Sequence, residues 1–257
     1  MTRPLTVLTL RGIGEPLDDP GTVSNLAAAL LRHKRGDVEI IDVPWEATYG
    51  PVGGAPDGGA YVDTVEAGVL LAHHMIAATA RPVVLLGFSA GATVAGHLAR
   101  RIADGEFDRG NLAAVGLIAD PHQPRRVGGI DAHGDPAFGV AGEREPGGTV
   151  PVRWAWSAGD PIPCTPELSP LRTIADQSAA MSLADPAAWT RDLVDRLLRA
   201  RWQPSAIDRR DPIGTIRRYA RAADAARRYL TGDHVRPYVP SGSIIGGMVA
   251  GIIEDIR

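Results

Sequence analysis

Short, mostly apolar runs alternate along this chain with longer stretches in which apolar residues recur every three or four positions. Leu5 to Leu10, Val38 to Val43, Val83 to Gly87, Leu112 to Ala119 and Val152 to Trp156 have the length and β-branched content of strands buried on both faces. Thr22 to His33, with Leu26, Leu30 and Leu31 on one side, predicts a helix, as do Val62 to Ala80 and Ala90 to Arg101. The stretches 50–59 and 124–148 are rich in Gly and Pro and read as loops. Strands alternating with helices predict an α/β chain with a parallel, doubly wound sheet. In such sheets ligands sit beyond the carboxyl ends of the strands. Arg11, Ser89, Asp120 and Asp160 all fall at that edge.

After Asp160 the pattern changes. Trp189, Leu193 and Leu197 are spaced as on a helix, and so are Ile213, Ile216, Tyr219, Ala220 and Ala223. Pro204 and Pro212 punctuate this region. The expectation is a helical insertion over 166–230, lying over the carboxyl edge of one domain that spans 1–257. Between Arg191 and Arg236 there are twelve arginines and six aspartates, with no Lys and no Glu. That composition fits a solvated helix face, or a surface drawn to an acidic polymer or a membrane. Ser241 to Arg257 predicts a last helix returning to the sheet.

Composition narrows the classes. The net charge is −3 over 257 residues, which gives no general case for nucleic-acid binding. A single cysteine, Cys164, excludes an internal disulfide and fits a reducing compartment. The first residues lack the apolar core of a signal peptide, and no run approaches the roughly 18 apolar residues of a membrane span. The expectation is a chain made in the cytoplasm, without a transmembrane segment. The seven histidines show no ligand spacing with Cys or Glu, so neither a metal nor another cofactor is expected.

The candidate chemistry centres on Gly87-Phe88-Ser89-Ala90-Gly91, which joins the third strand to the third helix. A G-x-S-x-G in that context is a sharp turn that exposes one serine in a strained conformation. A serine hydroxyl needs a base, normally a histidine held by a carboxylate, and on this fold the order is Ser, acid, His. Only His234 lies beyond Asp160, in a loop before the last helix. His33, His73, His74 and His97 fall on expected helices, while His122 and His133 lie in a loop near the site and are candidates to touch substrate. Two acids compete. Asp160 ends the fifth strand and is preferred, because an acid close to the histidine is usual for this fold. Asp120 ends the fourth and suits a turn before Pro121. The oxyanion would be held by the Ala90 N–H and by the N–H of Ile13 or Gly14, in the loop after the first strand. Trp189, Trp202 and Ile207 are candidate linings of an acyl groove.

These residues resemble the cutinase-like branch of the α/β-hydrolases. Arg11-Gly12-Ile13-Gly14-Glu15 is similar to that branch's R-G-x-x-E after strand one. Gly87 to Gly91 is similar to its G-[YF]-S-Q-G, and Gly159-Asp160-Pro161-Ile162 with Cys164 to its G-D-x-[VI]-C acid loop. Over its whole length, the chain resembles the phage lysin B family, with no disulfide and a long helical stretch between acid and histidine. The resemblance implies a serine esterase with Ser89 as nucleophile, Asp160 as acid and His234 as base. It would cleave the ester between mycolic acids and arabinogalactan, reaching the mycobacterial envelope after release from the lysing host. The general alternative is a cutinase-like esterase or lipase on other fatty-acyl esters. A catalytically dead fold serving as a binding protein is a third reading, against which the intact trio stands. The chain departs from the branch at Ala90, where Gln is usual, and at Ile13, where a hydroxyl residue is common; neither change removes a backbone donor.

Overall fold

A computed structural model describes residues 4–50, 58–145, 147–148, 150–178, 207–208, 210–239 and 243–257. Five parallel strands form the central sheet in the order β2-β1-β3-β4-β6: β1 (Leu5–Leu10), β2 (Val38–Asp42), β3 (Val83–Phe88), β4 (Leu112–Ile118) and β6 (Val152–Ala155). Helices α1 (Val23–Arg35), α2 (Tyr61–Ala78), α3 (Ala90–Ala103) and α6 (Ser243–Asp255) cover it. The period-2 geometry of a strand sends alternate side chains to opposite faces. Leu8, Leu85, Val115 and Leu117 therefore pack with α2 and α3. Val7, Val84, Leu86 and Ile118 pack with α1 and α6 on the other face. Both faces are dry, which is why β1 and β3 read as unbroken apolar runs.

Element ends follow local chemistry. Thr22 caps α1 by accepting the Asn25 N–H (3.4 Å), and Gly36 ends it at φ +70°. The loop expected over 124–148 holds one further element. Its residues Ala137–Phe138 (β5) pair antiparallel with Thr165–Pro166 (β7). The cause is Arg172, on α4 (Pro170–Ser178) and wholly buried. Its guanidinium donates to the carbonyls of Phe138 (3.0 Å), Gly139 (2.6 Å), Pro166 (3.0 Å) and Thr165, and lies 3.5 Å over the Phe138 ring. A buried cation satisfied by loop carbonyls sews two irregular segments into one wall.

Within 166–230 the described residues form α4 and α5 (Pro212–Arg228), the latter capped by Asp211 accepting the Gly214 N–H (2.8 Å). Arg228 ties α5 to the sheet edge by donating to Gly159 O (2.8 Å). Trp189 and Trp202 lie outside the described residues. Among the described residues, no helix is long and apolar enough to cross a membrane.

Candidate active site

Ser89 sits between β3 and α3 with φ +54° and ψ −116°, a conformation L residues avoid. Packing imposes it. A Cβ on Gly87 would collide with Gly91 O, and one on Gly91 with Leu10 O. The strand, the turn and the first turn of α3 thus approach backbone to backbone, and Ser89 is the residue left pointing outward.

Residues far apart in the chain meet there. Ser89 Oγ lies 2.8 Å from His234 Nε2. His234 Nδ1 lies 2.9 and 3.0 Å from the two Asp160 oxygens. With the Nδ1–H donated to Asp160, Nε2 is left to accept the Ser89 proton. Asp160 is wholly buried, and two more donors hold it: the Ile162 N–H (2.9 Å) and the Tyr238 hydroxyl (2.9 Å). Flanked by Phe88 (4.9 Å between ring centroids) and Tyr229 (5.0 Å), the imidazole has little room to turn.

Sequence reasoning did not single out Tyr238 or Phe88. Tyr238 follows His234 by four residues, within a 3₁₀ turn at Arg236–Tyr238 that aims its ring inward; Arg-Pro-Tyr was the available signal.

Asp120, the competing acid, is equally buried but otherwise engaged. It accepts two bonds from Arg144 (3.0 and 3.1 Å), one from Trp154 Nε1 (3.3 Å) and one from the His122 N–H (2.9 Å). The mid-helix Gly96 marks this pair, because a Cβ there would overlap the Arg144 guanidinium. Cys164 is buried and burial pushes its thiol up to about 12, so it is no nucleophile at neutral pH.

Of the oxyanion candidates, Ala90 is the first residue of α3, where an N–H has no intrahelical acceptor. Gly14 N–H is turned toward Ala47 O (3.4 Å), while Ile13 N–H has no hydrogen-bond partner among the described residues. Ile13 is therefore the better placed of the two. Glu15 steadies this loop by accepting the Gly12 N–H (2.7 Å) and the Val23 N–H (3.0 Å) at the start of α1.

Ile13, Ser89 and Ala90 open into a cavity of about 450 Å³ whose lining carries no charged side chain. Leu171 and Ile174 of α4, with Tyr229 and Leu230 just after α5, form its far wall. Ile207 is exposed and does not line this cavity. His122 and His133 also lie away from it, each against a separate pocket.

No protein-family model matches the chain, and no curated protein matches it. Solved structures resemble it in fold. Lysin B from Mycobacteriophage D29 is 17% identical over 100% of this chain and 91% of that one, with a TM-score of 0.43. A cutinase-like protein from Cryptococcus sp. is 14% identical over 76% of this chain and 95% of that one, at 0.46. The catalytic core domain of acetyl xylan esterase from Trichoderma reesei is 18% identical over 69% and 96%, also at 0.46. By its own sheet order and strand–serine–helix turn, the chain has a doubly wound α/β fold with a parallel central sheet.

Proposed function

We propose that this protein is a serine carboxylic-ester hydrolase with Ser89 as nucleophile, His234 as general base and acid, and Asp160 as the group that orients the imidazole. The observation that carries the reading is the unbroken relay Ser89 Oγ–His234 Nε2 (2.8 Å) and His234 Nδ1–Asp160 (2.9 Å) at the mouth of an apolar cavity. Ser89 Oγ attacks the ester carbonyl as His234 Nε2 takes its proton. The carbonyl oxygen gains the negative charge and lies against the Ala90 and Ile13 N–H groups. Collapse expels the alcohol, which receives the proton from His234. Water, deprotonated by His234, then releases the acid and restores Ser89. Asp160 is held under the imidazole by the Ile162 and Tyr238 donors.

The finer reading carries over from the sequence resemblance. The ester joins a mycolic acid to arabinogalactan, and the enzyme, made in the host cytoplasm, acts at the mycobacterial envelope during phage lysis. An uncharged cavity suits its acyl chain, but suits other fatty acyl groups as well. Incubation with purified mycolyl-arabinogalactan, with 4-nitrophenyl octanoate in parallel, separates these substrates. Free mycolate supports the envelope reading, and hydrolysis of the nitrophenyl ester alone leaves the general esterase. Ser89→Ala lowers kcat/KM on either ester at least about 10³-fold. Undiminished hydrolysis by that variant sinks the nucleophile assignment.

A further inference from the structure

A second cavity, of about 320 Å³, lies between α2 and α3 and adjoins the first. Tyr61, Ala141 and Ala175 line both, so the two spaces are neighbours that share this wall. Their chemistry is opposite. Thr93, His97 and Arg101 follow one another at four-residue spacing along the α3 face that leads away from Ser89. Thr93 lies one turn from Ser89 and His97 two turns, on the order of 6 and 12 Å along the helix. Glu66 and Val62 of α2 face them, and His122 closes one side.

The charges in this groove are already answered. Arg101 makes a two-pronged pair with Glu66 (2.7 and 2.8 Å), Asp176 at the α4 end of the lining is not without a partner, and Arg144 beside the groove is paired with Asp120. The His97 and His122 rings contact each other edge to face at 5.1 Å. Neither imidazole has a side-chain hydrogen-bond partner among the described residues, and burial next to Arg144 keeps both neutral. A neutral imidazole donates at one nitrogen and accepts at the other. Thr93 already accepts from the Tyr61 hydroxyl (2.9 Å), which leaves its own O–H to donate. Among the described residues, no three His, Cys, Asp or Glu side chains converge here or elsewhere as a metal site. Partnered charges together with several two-way hydrogen-bonding groups fit a neutral ligand bearing many hydroxyls.

We infer that this groove is the alcohol-side subsite of the hydrolase, and that it takes a polyhydroxylated alcohol such as a sugar, with His97, His122 and Thr93 contacting its hydroxyls. The inference rests on the serine-hydrolase reading. It divides the substrate at the scissile ester, with acyl chain in the uncharged cavity and sugar between α2 and α3.

The test compares two esters of one acid, 6-O-octanoyl-glucose and 4-nitrophenyl octanoate. His97→Phe removes the hydrogen-bonding groups. Val62→Trp fills the groove from a position 41% exposed. On the glucose ester each variant lowers kcat/KM about tenfold, mainly through KM, while the nitrophenyl ester changes less than about twofold. Equal effects on the two esters, or none on either, overturn the inference. A wild-type enzyme that cleaves the nitrophenyl ester and leaves the glucose ester intact overturns it too. If His97→Phe loses its cooperative melting transition, Val62→Trp decides. Failure of the hydrolase reading looks different, because Ser89→Ala would then match wild type on both esters.

Discussion

Asp120 and Asp160 make an instructive pair. Both follow parallel strands at the carboxyl edge, both precede a proline, and both are wholly buried. Each accepts the backbone N–H two residues on, from His122 and Ile162 respectively, in a small turn that fixes the carboxylate. The partners differ. Asp120 meets a guanidinium that cannot lose its proton, with the Trp154 indole beside it. Asp160 meets an imidazole, with the Tyr238 hydroxyl beside it. A carboxylate locked to a fixed cation holds structure; a carboxylate on a titratable ring can steady a proton in transit. Position at the strand end is common to both, and only the partner separates the roles.

The sharpest way to break that comparison is to remove the charge from each acid. Asp160→Asn keeps the Ile162 N–H on its one oxygen, leaves the Tyr238 hydroxyl to accept from the new amide N–H, and turns the imidazole to the wrong tautomer. The expected loss is about 10⁴-fold in kcat on a nitrophenyl ester, with the melting temperature nearly unchanged. Asp120→Ala should behave in the opposite way. It strands the Arg144 charge in the interior, at about 3–5 kcal/mol of stability, on the order of 10 °C in melting temperature. Below that temperature, activity per folded molecule stays within about threefold. Calorimetry and steady-state kinetics on both variants decide the matter, and a reversal of the two phenotypes would overturn the assignment of acids.

A smaller effect tests the donors around Asp160. Tyr238→Phe deletes one charge-assisted hydrogen bond and leaves the ring packed against Phe88 (5.9 Å between centroids). About 1.5–3 kcal/mol is the usual scale for such a bond. If the hydroxyl serves to hold the carboxylate under the imidazole, kcat falls about tenfold with KM unchanged. Equal losses in stability and none in kcat would make Tyr238 a packing residue only.

The strand cores, the helices α1 to α3 and the turn at Ser89 were legible because local pattern determines them. A run of β-branched residues bounded by Gly or Pro leaves few alternatives, and G-x-S-x-G has a steric reason that acts within five residues. His234 was legible through chain order alone. What could not be read was everything held by long-range polar contacts. Arg144 pairs with Asp120 across 24 residues, and Arg172 reaches carbonyls more than 30 residues away. Neither sits in a periodic pattern, so nothing in the text of the chain distinguished them from surface arginines. Gly96 was the overlooked clue, since a glycine inside an otherwise Ala-rich helix needs a reason, and the guanidinium is that reason.

The mildest expected effect is a pH dependence that belongs to the Asp120 side and not to the relay. Burial, with Arg144 adding to it, lowers His97 from its ordinary 6.5 to about 3, and His122 moves well below the same value. Both rings are neutral in the folded protein across the mildly acidic range. In the unfolded chain they take up protons as the pH falls through about 6.5. The unfolded state therefore binds more protons over the window from about 6.5 down to about 3, and stability falls as the pH is lowered through it. Carboxylates add their own loss only further down, so melting temperatures compared between about pH 7 and pH 5 isolate the imidazoles. Wild type should lose stability over that interval, and His97→Phe should lose visibly less. Identical slopes would mean that His97 is charged inside the fold, and a cation there would remove the argument for a groove whose charges are already partnered.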